Sequence, residues 1–222
     1  MQLIDVWQLL QWSDSSLPTG GFAQSHGLET LVQEGLVQNG EHLVLSVRAY
    51  VEQVAYTELL AFWHVVRADD LFLALTETNQ GLNTLLWTAE AREVSQGQAS
   101  RYIKLWHMLS GDSDVLDLSL PASLYAGAAW GYLGRRLRIP QEIMAAAFLH
   151  TQALEFSQAA LRLLRMDPMD AVASRYQLAT VIADLVRKSE CLAWLDGVPM
   201  VSPVLEIAAL RHQRQEMRLF RT

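Results

Sequence analysis

The side chains able to bind a metal or to act as nucleophiles in this chain are few and widely scattered. Cys191 is the single cysteine, and the six histidines are His26, His42, His64, His107, His150 and His212. No histidine stands at metal-ligand spacing from another histidine or from the cysteine. The P-loop, HExxH, GxSxG and dinucleotide-binding motifs are also missing. We therefore predict no catalytic, cofactor-binding or metal site within one chain. A site shared between chains would leave no spacing signature and stays open.

The most unusual segment lies near the start of the chain and reads LLQWSDSSLPTGGFAQSHGLE, from Leu9 to Glu29. An apolar helical start is followed by residues that cap helices or permit tight turns, namely Asp14, Ser15, Pro18, Gly20 and Gly21. This pattern predicts a helix, a constrained turn and a second helix. A glycine-rich turn before a helix is also able to bind an anion, but without a lysine or a GxGxxG pattern that signal is weak.

Two further segments carry charges in patterns with two interpretations each. Glu90, Arg92 and Glu93 (AEAREVSQG) interrupt an apolar helix and form either a solvated face with weak ion pairs or a polar contact surface or buried network. The C-terminal end is either a disordered tail or a segment that becomes ordered on a partner. It contains Arg211, His212, Arg214, Arg218, Leu219, Phe220 and Arg221. Because this segment follows the last strong apolar stripe, we expect that the core does not depend on it.

The elements that position these residues are all predicted to be helices. Apolar residues recur at helical spacing from Glu41 to Arg67 and again from Ile143 to Arg165, and no period-2 run flanked by hairpin turns occurs. In the second stretch the predicted apolar stripe includes His150, interpreted as a core histidine, and Glu155 is assigned to the opposite face. We predict one compact all-α domain over residues 1–222, bundle-like, with about eight to ten helices and a C-terminal tail at about 211–222.

Composition and charge exclude several classes of protein. The 222 residues are 51% hydrophobic and 18% charged, which indicates a folded chain and not a disordered one. The net charge of −7 argues against a general nucleic-acid binder. No secretory signal or membrane span is recognised, so we expect a cytoplasmic protein. Small residues four apart, Ser123, Gly127 and Gly131, predict tight internal helix packing, with a subunit contact as the alternative.

The segment Leu9 to Glu29 closely resembles the signature of the UreF family of urease accessory proteins. Three more stretches support the resemblance in the same order, namely AREVSQG, LPASLYAGAAWGYLG and the C-terminal VSPVLEIAALRHQRQEMRLFRT. Together they extend over essentially the whole chain, and the first and last are the most specific. One position departs from the family pattern, because Gln24 stands where a histidine is usual. That departure puts any nickel-handling role of this position in doubt.

The resemblance implies an all-helical, dimeric adaptor without enzymatic activity. UreF-like proteins join the UreD (also called UreH) accessory protein to the GTPase UreG in the complex that loads nickel into apo-urease. Nickel and GTP are then handled by the assembled complex, and this chain needs no cofactor of its own. Roles in modulating GTP hydrolysis and in forming part of a nickel passage have been suggested for the family. The resemblance also implies that the C-terminal tail docks onto UreD/UreH.

Two other functions compete with this interpretation. One is an all-helical enzyme with an unrecognised site, against which stand the missing motifs and the lack of clustered carboxylate, histidine or cysteine residues. The other is a helical scaffold or interaction protein unrelated to urease. Turnover by the isolated protein would favour the first, whereas failure to bind UreD/UreH and UreG would favour the second.

Overall fold

Helices are the regular elements of the part of the chain that the computed structural model describes. That part consists of residues 1–21, 24–110, 121, 123–164, 166–195, 202–215 and 218–220. Within it, eleven helices follow one another and no strand occurs: α1 (Leu3–Trp12), α2 (Leu28–Gln33), α3 (Gly40–Ala55), α4 (Glu58–Arg67), α5 (Leu71–Leu85), α6 (Ala89–Ser110), α7 (Ala126–Gly134), α8 (Gln141–Leu163), α9 (Pro168–Tyr176), α10 (Ala179–Glu190) and α11 (Pro203–His212). The all-α prediction is confirmed, with one helix more than the expected range. None of these helices has both the length and the apolar character needed to cross a bilayer.

The centre of the fold is α7, in which every residue from Ala126 to Gly134 is buried. Its glycines permit close contact with α4: a Cβ atom on Gly127 would overlap the carbonyl oxygen of Glu58. A Cβ atom on Gly131 would lie 2.9 Å from the carbonyl oxygen of Phe62. The prediction of tight internal packing is therefore confirmed for these two glycines. Ser123 precedes the helix and is exposed, so it is not part of the glycine face.

The buried face of α8 differs from the one that the sequence predicts. Its buried face consists of Met144, Ala145, Phe148, Leu149, Thr151, Gln152, Ala153, Phe156, Ser157, Ala159 and Ala160. The prediction drew the stripe through His150 and left out Met144, Phe148, Leu149 and Phe156, whose large apolar side chains are buried on this face. Two predictions are wrong in consequence. His150 is exposed and is not a core histidine, and Glu155 points inward instead of to the opposite face. Arg165, at the end of the predicted stretch, lies outside the described residues.

The C-terminal helix packs against the short helix α2 because of Gly27. This residue precedes α2 with a φ of +85°, a conformation that favours glycine. A Cβ atom on Gly27 would lie 2.9 Å from the carbonyl oxygen of Leu205 in α11. The glycine thus permits the two backbones to approach, and this approach brings the end of α11 next to Glu29 in α2.

Candidate functional site

The first and last motifs of the sequence meet at Glu29. The Glu29 side chain is nearly inaccessible to solvent, and its Oε2 atom lies 2.9 Å from Nε2 of the fully buried His212. The same carboxylate accepts backbone hydrogen bonds from Leu219 at 2.7 Å and from Phe220 at 3.1 Å. One carboxylate of α2 therefore holds three positions of the C-terminal segment. We call these four residues the C-terminal clasp.

The electrostatics of the C-terminal clasp favour an ionised Glu29. Burial raises the pKa of Glu29, but the hydrogen bonds from Leu219, His212 and Phe220 outweigh this effect and lower it overall. On the other side of the His212 ring, Nδ1 lies 3.7 Å from Oε2 of Glu90. Burial raises the pKa of Glu90. Arg218 pairs with Glu90 at 3.3 Å, so the AEAREVSQG segment also contributes to this cluster.

The three charged residues of the AEAREVSQG segment have different surroundings. Glu90 belongs to the polar cluster, as the second of the two interpretations of this segment expects. Arg92 donates hydrogen bonds to the carbonyl oxygens of Leu86 at 2.6 Å and Trp87 at 3.1 Å, just before α6. Glu93 is exposed. In this segment Glu90 and Arg92 therefore contact other parts of the fold, whereas Glu93 lies at the surface.

The C-terminal segment is divided between the core and the surface. Phe220 is only 4% exposed, and the guanidinium of Arg162 lies 4.2 Å above its ring. The expectation that the core does not depend on residues 211–222 is therefore wrong for His212 and Phe220. Leu219, in contrast, is 67% exposed, and Arg211 pairs with Glu34 at the surface at 3.0 Å. Arg221 lies outside the described residues.

The outer face of α11 continues this surface. Val204, Ile207 and Leu210 are exposed and recur three residues apart, so they share one side of the helix. The exposed Arg214 follows directly after the helix. Together with Arg211 and Leu219 they form what we call the C-terminal face, which is apolar with basic side chains and is suited to a partner that carries both apolar and acidic groups.

The predicted turn is held by two side chains that the sequence analysis did not single out. Gly20 has a φ of +82°, and the guanidinium of Arg101 occupies the space where a Cβ atom would lie. Arg101 donates a hydrogen bond to the carbonyl oxygen of Thr19. At Gly21, the space for a Cβ atom is filled by the carboxyl group of Glu155. Both glycines are therefore required by neighbouring side chains, and Gly20 also by its backbone conformation.

The remaining residues of the turn lie at the surface. The carboxylate of Asp14 accepts a hydrogen bond from the backbone of Ser16 at 2.7 Å, which lowers the pKa of Asp14. Ser15 and Pro18 are exposed. The anion-binding interpretation of this turn gains no support at Gly21, because the group packed there is a carboxyl group.

Glu155 is the main functional candidate that sequence reasoning missed. It accepts hydrogen bonds from Gln98 at 2.8 Å and from Thr19 at 3.5 Å, and burial raises the pKa of Glu155 to about 7. The available signal was the set of large apolar residues Met144, Phe148 and Phe156, which mark the buried face of α8. At 3.6 residues per turn Glu155 lies on the same side of the helix, so a stripe drawn through these residues would have turned it inward.

A cavity of about 80 Å³ is lined by residues of α3, α6, α8 and α11, among them Tyr50, Gln98, Gln152 and Leu205. His26, which has a φ of +51°, lines this cavity. The Nδ1 atom of the His26 ring lies 3.2 Å from the hydroxyl group of Tyr50. Burial lowers the pKa of His26 to about 4, so the ring is neutral at physiological pH. Burial raises the pKa of Glu58, which accepts a hydrogen bond from the backbone of Gly127. Gln24, the position at which the family pattern usually has a histidine, stands two residues before His26 and is partly buried.

These groups hold segments together, and their arrangement suits binding better than catalysis. Among the described residues, no three histidine, cysteine, aspartate or glutamate side chains are grouped so as to hold a metal ion. The ionisable groups of the C-terminal clasp are hydrogen-bonded to backbone and to each other, which fixes the C-terminal segment in one position. The C-terminal face, in contrast, is accessible.

Comparison of the chain with known proteins finds similarity to one family. A family model described as UreF matches residues 37–179. The chain is also 28% identical to the protein named urease accessory protein UreF from Paenarthrobacter aurescens strain TC1, with 96% of each chain covered. It is 28% identical to the proteins of the same name from Cereibacter sphaeroides strain KD131 and Agrobacterium fabrum strain C58, again over more than nine-tenths of each chain.

Proposed function

Because this chain belongs to the UreF family of urease accessory proteins, we propose that it is a non-enzymatic adaptor in urease maturation. It joins UreD/UreH and the GTPase UreG in the complex that delivers nickel to apo-urease. In this proposal the chain acts in the cytoplasm as a homodimer, with nickel and GTP handled by the assembled complex. Modulation of GTP hydrolysis is part of the same proposal.

The observation that carries this proposal is the division of the C-terminal segment. His212 and Phe220 anchor the segment to α2 through Glu29, whereas Leu219 and the outer face of α11 stay exposed. A segment held in this way loses little conformational freedom on binding, because it is already ordered. Leu219, Ile207 and Leu210 offer apolar area, and Arg214 offers charge-assisted hydrogen bonds to acidic groups of UreD/UreH.

The proposal is tested by co-purification of the chain with UreD/UreH and UreG, followed by activation of apo-urease. The informative variant changes the C-terminal face without touching the core, namely Leu210→Ser combined with Leu219→Ser. We expect an unchanged circular dichroism spectrum, at least tenfold weaker capture of UreD/UreH, and loss of UreG from the complex. The matched control is Leu73→Ser, an exposed leucine of α5, which should retain capture.

Two outcomes would contradict the proposal. If the unmodified chain captures neither UreD/UreH nor UreG, the adaptor function is wrong and a scaffold unrelated to urease becomes the better interpretation. If the double variant captures UreD/UreH as well as the control does, the adaptor function stands but the C-terminal face is not its docking surface.

A further inference from the structure

A cavity of about 300 Å³ lies under the turn of residues 13–21. Its other walls come from Trp12 at the end of α1, from Tyr102 in α6, and from the side of α8 around Glu155. The Trp12 and Tyr102 ring centroids are 6.4 Å apart, so two aromatic rings stand side by side in the wall. This volume is at the lower end of the range for small-molecule sites.

The charged side chains described in the wall of this cavity are all acidic. They are Asp14 and Glu155, and the described lining residues include no lysine, arginine or histidine. Ser13 adds a buried hydroxyl oxygen without a hydrogen-bond partner among the described residues. The cavity therefore combines hydrogen-bond acceptors and negative charge with aromatic side chains in its wall.

Glu155 has no cationic partner among the described residues. Its hydrogen bonds come from the amide of Gln98 and the hydroxyl of Thr19, which are neutral groups. The nearby Arg101 donates instead to the carbonyl oxygen of Thr19, on the side of Gly20. A buried carboxylate without a counter-ion is unfavourable, and burial accordingly raises the pKa of Glu155 to about 7. A cation entering the cavity would relieve this cost.

We propose that the cavity binds an organic cation, a guanidinium or primary ammonium group, whose charge pairs with Glu155 while its carbon or guanidinium face contacts Trp12 and Tyr102. Aromatic faces attract such cations, and a guanidinium also matches a carboxylate with two parallel hydrogen bonds. A metal ion fits less well, because no group of three metal-ligating side chains occurs among the described residues. The cation comes either from a lysine or arginine side chain of a partner or from a free small molecule.

The test follows the carboxyl carbon of Glu155 by NMR in the full-length protein labelled with ¹³C-glutamate. The probes are methylguanidinium, as a free cation, and N-acetyl-arginine methylamide, as a side chain carried by a peptide backbone. We expect saturable shifts of the Glu155 signal and a lower apparent pKa of this group in the presence of a bound probe. Saturation by both probes assigns the site to a side chain, whereas saturation by methylguanidinium alone assigns it to a free cation.

The pH dependence of binding supplies a second readout. Because a cation pairs with the ionised carboxylate, the apparent affinity should rise about tenfold from pH 6 to pH 8, in proportion to the ionised fraction. The other titratable groups that face Glu155 keep their charge over this range. Burial raises the pKa of Tyr50 and of Tyr102, and the hydrogen bond from Ser16 lowers the pKa of Asp14.

Two variants complete the experiment. Glu155→Gln preserves shape and should weaken methylguanidinium binding at least tenfold, with the thermal transition recorded to verify folding. Arg101→Gln should leave the pKa of Glu155 unchanged. Absence of saturable shifts with both probes would overturn the proposal, as would equal binding by Glu155→Gln. A low Glu155 pKa that rises in Arg101→Gln would also overturn it, by showing that Arg101 already neutralises the site.

Discussion

Glu29 and His212 stand 183 residues apart in the chain and form one buried hydrogen-bonded pair, with 2.9 Å between Oε2 and Nε2. The pair joins the helix that follows the N-terminal turn to the end of the last helix. Glu29 also accepts hydrogen bonds from the backbones of Leu219 and Phe220, so one carboxylate contacts three positions of the C-terminal segment. A substitution of Glu29 therefore tests these contacts directly.

Replacing Glu29 by alanine should destabilise the fold strongly. The change leaves the buried His212 ring and two backbone N–H groups without their acceptor, and removing one partner of a buried pair costs about 3–5 kcal/mol. Chemical denaturation measures the loss, and hydrogen exchange should locate it in α11 and the segment after it. Glu34→Ala is the control, because its pair with Arg211 is exposed and should contribute less than about 1 kcal/mol. Equal losses in both variants would argue against the clasp.

Phe220 and Leu219 provide a contrast between neighbouring residues. Phe220→Ala removes a buried ring that packs under Arg162, and the free energy of unfolding should fall by about 3 kcal/mol or more. Leu219→Ala changes an exposed side chain and should alter stability by less than about 0.5 kcal/mol. Urea denaturation of both variants distinguishes the two positions. A Phe220→Ala protein as stable as the unmodified chain would show that the end of the chain does not belong to the core.

Replacing two helical glycines by alanine should change the stability of the protein in opposite directions. A methyl group at Gly127 meets the backbone of Glu58, which has little freedom to move, so Gly127→Ala should cost about 3 kcal/mol or more. At Gly97 in α6 the added carbon would lie 3.6 Å from the Arg101 guanidinium, an ordinary contact. Gly97→Ala should therefore stabilise the protein by about 0.5–1 kcal/mol, since alanine is the better helix former. Thermal melts check both signs.

The contact between Gly21 and Glu155 predicts a rescue. Gly21→Ala places a methyl group on the carboxyl group of Glu155 and should destabilise the turn by about 1–3 kcal/mol. Combining it with Glu155→Ala removes the collision, so the double variant should lose less than the sum of the two single changes. Additive losses would show that the two side chains do not meet. Gly35→Ala is a useful control, because its φ of +72° gives backbone strain without a collision.

Glu155 should make the protein less stable as the pH rises. Its pKa increases from an ordinary value of 4.5 to about 7 in the folded protein, so between these values the folded state holds a proton that the unfolded state has lost. The free energy of unfolding should then fall from about pH 4.5 to about pH 7, by on the order of 3 kcal/mol in total. Glu155→Gln should remove this slope. Denaturation at pH 5 and pH 8 for both proteins measures the difference.

The sequence predicted the helical class and the constrained turn because both depend on local rules. Helical spacing of apolar residues identifies α3 and α4, and the glycine pair identifies a turn that needs a positive φ at Gly20. Local rules also showed that the charges around Glu90 break an apolar pattern. They did not show which partner Glu90 contacts, because Arg218 and His212 come from the other end of the chain.

The errors arose where the register of a helix was misjudged or where packing depends on distant segments. On α8, Phe148, Leu149 and Phe156 face the core together with alanines, and a predicted stripe drawn through His150 instead turned Glu155 outward. At the C-terminus, Phe220 looked like part of a tail because no periodic pattern surrounds it. Its burial depends on a ring contact with Arg162 and on the Glu29 carboxylate, neither of which is local in sequence.

The clasp also constrains the order in which the chain folds. During synthesis, α2 emerges from the ribosome long before His212 and Phe220 are made, so Glu29 must wait for its partners while most of the bundle is already able to form. Contacts with such a large sequence separation are slow to close. The nascent chain therefore passes through a stage in which Glu29 lacks these partners. The clasp closes only after His212 and Phe220 have been synthesised.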